Sequence, residues 1–473
     1  MESVGLRAFW PKAVLPLAVA AVVAKGGVLY GQAPQLAPIP AVTAAAPDAA
    51  PRPDGKPRID SGDTAWVLTS TALVMLMTPG LAFFYGGLVR KKNILSVLMQ
   101  CLTMLCIISL QWVLFGYSLA FSGNVRGLVG NLNWLGLRGL ASEPVGTLPH
   151  YAFVVFQMMF AVITPALIIG AFAERMRFIP FCVFSLLWST LVYDPIAHWV
   201  WGPGGFMGTV ADASGARGWG ALDFAGGTVV HANAGMAALA AALVLGKRQG
   251  FPMRISPPHN LPLAVLGATL LWFGWFGFNA GSALSANTTA AGAFLATHVA
   301  TAAAGLTWSL LDWLKHGTAT TLGMITGTVA GLVAVTPAAG FVDPAGAVAI
   351  GLGAGAACWV GVTCIKVKFG YDDSLDAFGV HGIGGVFGAL AVGVLATRSA
   401  TGPQGPRGLL YGDPVQLWVQ FKAVAVTVVY SFCMSYVLLR IVDKVLALRV
   451  QEHHERVGLD LTQHKEAAYT VID

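Results

Sequence analysis

The 473-residue sequence predicts an all-α membrane protein of eleven transmembrane helices, two inverted five-helix repeats plus a C-terminal eleventh helix. Three observations predict it. Hydrophobic residues make up 56% of the chain and charged residues only 11%, against about 25% charged in a soluble domain, and mean hydropathy is +0.69. So few polar side chains cannot cover a water-soluble surface. From Thr64 onward the chain is a series of apolar runs, each able to cross a hydrocarbon core of ~30 Å. Basic residues gather in alternate loops between those runs, the pattern that sets orientation in a bilayer.

Residues 1–32 read as a signal peptide. Arg7 and Lys12 precede the apolar stretch Ala13 to Ala24, which Lys25 ends before it could span a bilayer. Gly31-Gln32-Ala33 offers small residues for cleavage although Pro34 follows, and a retained N-terminal helix is the competing reading. Residues 33–62, rich in Pro and Ala without apolar periodicity, read as an extracytoplasmic linker. Residues 63–445 form the membrane domain and 446–473 a cytoplasmic tail. The expected spans are 64–89, 94–121, 149–172, 179–200, 223–245, 261–284, 287–311, 319–336, 341–365, 374–396 and 415–442. The six cysteines all lie in apolar runs with no CxxC, as small buried residues do.

One set of alternate loops holds Arg90, Lys91, Lys92, Arg175, Arg177, Lys247, Arg248, Arg254, Lys315, Lys366 and Lys368; the other holds Arg126, Arg138, Arg217, Arg398 and Arg407. The first set is expected to face the cytoplasm, with the mature N-terminus outside and the tail inside. The basic residues thus read as topology signals, not nucleic-acid contacts. Five spans in each half make the second half inverted, and inverted repeats place a substrate site near the midplane where the halves meet.

The fifth and tenth spans each carry a histidine close behind an aspartate: His231 follows Asp223 by eight residues, and His381 follows Asp376. An ionisable group inside a span is costly, which makes it a functional-site hypothesis. In an apolar pore a histidine is expected neutral, with one donor and one acceptor nitrogen. Two such rings can bond to each other and still offer a nitrogen each to a small polar solute. The bland alternative is a pair of unrelated histidines, each bonded to a helix carbonyl. A metal site would need a further ligand that the sequence does not supply. Asp223 and Asp376 either bind a cation or cap helix N-termini, with capping favoured.

Aromatics supply a second pattern. Phe156 and Phe160 share a helix face, as do Phe278 and Ser282, and Trp201 ends the fourth span. Rings beside a hydroxyl make a cup for a dehydrated cation. An interfacial aromatic belt is the alternative.

The stretches DFAGGTVVHAN (223–233), WFGWFGFNAGSA (272–283), DDSLDAFGVHGIGG (372–385), AFFYGGLVRKKN (82–93) and AFAERMRF (171–178) closely resemble the ammonium transporter (Amt/Mep/Rh) family, on its Amt side. The resemblance covers about residues 63–470. It implies an ammonium transporter in the bacterial inner membrane, a homotrimer with one pore per protomer, without cofactor or enzymatic activity. It makes His231 and His381 the pore histidines, Phe160 and Phe278 the gate phenyls, Phe156, Trp201 and Ser282 the outer recruitment cup, and Asp223 the family's essential aspartate. The tail, Gly458 to His464 and Glu466 to Tyr469, resembles the segment implicated in docking PII-type signal proteins. Lys465 stands where the family usually has glycine, and His453-His454 interrupt its acidic run.

Ammonium can donate hydrogen bonds and give up a proton, whereas potassium can do neither. An apolar pore with neutral imidazoles would pass ammonia, with the proton released or carried separately. The competing readings are an ammonium sensor with little flux, a channel for another neutral gas, and an intramembrane enzyme. A sensor is expected to carry an appended signalling domain, a neutral gas needs no cation cup, and no nucleophile–base constellation supports an enzyme.

Overall fold

The computed structural model describes residues 58–140, 144–253 and 257–469. The expected signal peptide and most of the linker lie outside these residues. The described chain is built on helices α1 Ser61–Leu88, α2 Ile94–Phe121, α3 His150–Phe172, α4 Phe178–Trp201, α5 Gly227–Leu245, α6 Leu261–Gly281, α7 Thr288–His316, α8 Thr321–Val335, α9 Pro344–Phe369, α10 Phe378–Leu395 and α11 Pro414–Leu446. Ten have the length and hydropathy of membrane spans, and α8 is shorter. Beyond α8 the chain continues as buried turns through Thr336, Ala338, Ala339 and Val342. Such non-helical backbone is tolerated at membrane depth only when protein surrounds it.

Six of these helices start at a side-chain cap. Asp60 accepts from the Asp63 N–H at 2.8 Å, so α1 begins at Ser61, within the stretch read as linker. Asn260, Asn287, Thr320, Asp343 and Asp413 cap α6, α7, α8, α9 and α11 in the same way. The two halves echo each other in their wide π turns. These lie at Ser189–Tyr193 and Gly361–Ile365 in the fourth helix of each half, and at Gly227–Ala232 and Phe378–Gly382 in the fifth. π turns concentrate at functional sites.

Four loops of the more basic set meet at one node, which places them on a single face. Glu174, between α3 and α4, accepts from the Arg90 backbone N–H at 2.8 Å, from Arg90 Nε at 2.9 Å, from Asn93 Nδ2 at 2.9 Å and from Arg248 Nη1 at 3.2 Å. Arg248 also grips Asp372 through Nε at 2.9 Å and Nη2 at 2.8 Å. Burial raises both carboxyls, but Arg90 and Arg248 outweigh it on Glu174, and Arg248 does so on Asp372. Both are held below the usual carboxylate range. The tail docks on this face: Asn93 Oδ1 accepts from Leu459 N–H at 2.8 Å, Asp460 Oδ1 from Ser96 N–H at 2.8 Å, and Arg449 pairs with Glu455 at 2.9 Å. Asp460–His464 closes as a π turn that ends at Lys465 with φ +59°. That is the left-handed region, where a side chain costs roughly 1–2 kcal/mol, and it explains why glycine suits the position.

The fifth helices of the two halves cross almost backbone to backbone. A Cβ on Gly235 would lie 2.1 Å from the Gly382 nitrogen, and one on Gly385 would lie 2.5 Å from the Ala232 nitrogen. Gly235→Ala is expected to cost about 1–3 kcal/mol by overpacking and to lower the thermal unfolding midpoint in detergent. Gly292→Ala, where nothing lies within 4 Å, should not lower that midpoint, since alanine is the better helix former. Lys465→Gly is expected to firm the docked tail by roughly 0.5–1 kcal/mol, measured as slower amide hydrogen exchange over residues 458–466.

Candidate functional site

The fifth span starts later than the sequence indicated. Residues 223–226 are not helical, and α5 opens as a π turn at Gly227. Asp223 is the reason. Its Oδ1 accepts from the Gly226 and Gly227 N–H groups at 2.8 and 2.7 Å, and its Oδ2 from Thr228 and Val229 at 2.9 and 3.0 Å. These donors, orphaned at a helix start, would otherwise lack partners away from water. Gly226 takes φ +111° to fold them around the carboxylate. With every lone-pair direction used, Asp223 is a cap and not a direct cation ligand. Its carbonyl also holds Trp201, whose Nε1 donates to it at 2.8 Å.

In the second half the cap is Asp373, not Asp376. Asp373 accepts from Ala377 and Phe378 N–H at 3.1 and 2.7 Å. Asp376 sits at φ +61° and pairs with Lys366 at 2.6 Å. Spacing could have found this, since Asp373 precedes His381 by eight residues, as Asp223 precedes His231.

Three separate cavities adjoin these capped helix starts. The first mouth, a cavity of about 410 Å³, is bounded by Phe160, Trp201, Asp223, Ser282, Gln157 and Tyr117, among others. Ser282 donates to the Phe278 carbonyl at 2.8 Å, leaving its oxygen able to accept. Phe156, expected in this cup, does not line it: fully buried, it packs edge-on behind Phe160 at 5.0 Å. The floor is the Phe160–Phe278 pair, stacked with centroids 4.1 Å apart. Beneath lies a chamber of about 10 Å³ walled by His231, His381, Trp275, Leu81, Ile163 and Val329, among others, at the lower limit for one water-sized guest. The second mouth, about 330 Å³, opens toward the basic face past His381, Tyr85, Lys366 and Asp376.

The two histidine rings lie nearly parallel, 5.3 Å apart at an angle of 13°. Trp275, which the sequence did not single out, stacks on the other face of His231 at 5.3 Å and is fixed by its Nε1 bond to Thr336 Oγ1 at 2.8 Å. Both ring nitrogens of His231 and the Nδ1 of His381 have no hydrogen-bond partner in the protein. The histidines therefore neither bond to each other through His231 nor serve as structural bonds from His231 to helix carbonyls. Buried polar atoms without partners are rare and call for an explanation.

Comparison with known proteins gives one consistent answer. The model of the Ammonium Transporter Family matches residues 65–469. A Bacillus subtilis protein named ammonium transporter is 51% identical over 412 residues, which are 86% of this chain and 98% of that protein. The crystal structure of Saccharomyces cerevisiae Mep2 superposes with a TM-score of 0.76 at 37% identity, covering 83% of this chain and 88% of that one. A structure described as a sensor Amt protein superposes at 0.78 with 32% identity, covering 85% and 98%.

Asp223→Asn would turn an amide NH₂ toward two N–H donors. It is expected to cost about 2–4 kcal/mol, read as a lower thermal unfolding midpoint. A carboxylate serving mainly as a cation ligand would instead weaken ammonium binding and leave that midpoint in place.

Proposed function

Because the chain belongs to the ammonium transporter family, we propose that it recruits the ammonium cation at Trp201 and Ser282 and passes ammonia between His231 and His381. The observation that carries this reading is the stacked imidazole pair, with unpartnered nitrogens, set in a one-molecule constriction between two wide mouths. In the first mouth the cation meets the faces of Trp201 and Phe160, by cation–π attraction, and the Ser282 oxygen. Transferring bare charge into the constriction is costly. A cation that can lose a proton escapes that cost; an alkali metal ion cannot. The ammonium proton passes to water in the first mouth, where it is released or carried separately, and ammonia enters once Phe160 and Phe278 part. There the imidazole nitrogens offer the donor and acceptor that water no longer supplies.

The same reading assigns the basic face to the cytoplasm of a bacterial inner membrane and the Trp201 mouth to the outside. It takes the chain as a homotrimer. In support, His298 is exposed on the spanning helix α7, its ring 5.3 Å from Trp272, whose buried Nε1 has no partner. Such a face is poorly suited to lipid and better suited to another protein surface. A PII-type signal protein docking on the basic face would meet a tail already held by Asn93, Ser96 and Arg449.

Replacing both histidines by alanine is expected to abolish isotopic methylammonium uptake in transport-deficient cells, while the protein still reaches the membrane. Unchanged uptake would overturn the pore assignment. The likeness to the sensor Amt protein favours a second reading, in which ammonium binds but hardly passes. Saturable ammonium binding to a purified wild-type protein that gives no uptake would select it.

A further inference from the structure

We propose that the outer mouth holds a second cation station, above the Trp201–Ser282 cup, that takes organic ammonium ions bearing an N–H and is plugged by them. The first observation is size. The mouth measures about 410 Å³, more than ten times the ~30 Å³ of one water molecule, which ammonium resembles in size. It falls within the range of about 300–1,000 Å³ of pockets built for organic ligands.

The second observation is the wall. α3 presents His150, Phe153, Gln157 and Phe160 to the mouth at helical spacing, and Tyr117 and Trp134 face it from α2 and the loop beyond. The rings form one rigid surface. Tyr117 stacks on Trp134 at 5.8 Å, His150 stands edge-on to Trp134 at 5.1 Å, and Phe153 stands edge-on to Phe121 at 5.1 Å. The Tyr117 hydroxyl is locked to His150 Nε2 at 2.5 Å. Aromatic faces attract alkylated ammonium groups by the ring quadrupole and by contact with their carbons, a wall far larger than a bare ammonium ion can use.

The third observation is an unused acceptor. Gln157 belongs to this wall, yet its Oε1 is buried and meets no donor. A single N–H on an organic cation satisfies it, while the alkyl groups lie against Trp134 and Tyr117. A cation so placed covers the Phe160–Phe278 floor and is too large for the chamber below.

The consequence for transport rests on the function proposed above; the binding itself does not. Titration calorimetry on the purified full-length protein uses two probes of like charge, triethylammonium, which has one N–H, and tetraethylammonium, which has none. Saturable triethylammonium binding is expected. Gln157→Leu should weaken it by roughly fivefold to tenfold without changing tetraethylammonium binding, and Trp134→Leu should weaken both by about fivefold. Absence of triethylammonium binding, or equal affinities in all three proteins, would overturn the proposal. Methylammonium uptake separates the two ideas. Binding with this variant pattern in a protein without uptake leaves the station and removes the transport reading. Uptake that triethylammonium does not inhibit removes the plug.

Discussion

Backbone N–H groups have no water to turn to at membrane depth, and the carboxylate of Asp223 supplies the partner that lets α5 begin inside the protein. Four donors on two oxygens fix the first turn of α5 as a wide one. That turn determines where His231 points. The same residue holds Trp201 through its carbonyl, so one residue couples Trp201 in the first mouth to the helix start that carries His231. Asp373 performs the lesser version in the other half, with two donors and a π turn that carries His381. Lys366, bonded to the Asp373 carbonyl and paired with Asp376, anchors this second cap from α9.

The second constraint is distance. Two histidines from opposite halves stack at 5.3 Å only if the helices bearing them approach without side chains between. Gly235 against Gly382, and Gly385 against Ala232, allow it. Small residues at such crossings are the usual means of close packing in lipid, where the hydrophobic effect no longer drives helices together. Trp275 on the far side of His231 removes the remaining freedom. The result is a chamber of about 10 Å³ walled by both imidazoles, set between mouths of about 410 and 330 Å³.

The basic face follows a different logic. Glu174 and Arg248 gather loops that are distant in sequence into one buried ionic node, and the tail lies over it. Breaking one partner of such a node strands a buried charge, a loss of several kcal/mol, so the loops around the second mouth are held as a unit. Lys465, in a left-handed conformation at the end of the tail's last turn, is the weak point of that arrangement.

Much of this was legible in the amino-acid order alone. Apolar runs of spanning length, the alternation of basic loops, an odd number of spans per half and a histidine in each fifth span follow from transfer energetics and helix rise. These are local quantities that any stretch of chain carries with it. The roles of particular neighbours were not legible. Asp376 stood nearer His381 than Asp373 did, yet Asp373 caps the helix. Phe156 shares a face with Phe160, yet only Phe160 reaches the mouth. The two imidazoles could have bonded to each other, yet they stack with nitrogens unpartnered. Helical period states which residues share a face, but not where a helix starts, nor what stands across from it. Those depend on partners supplied by segments far away in the chain, and they were decided only when the two halves packed.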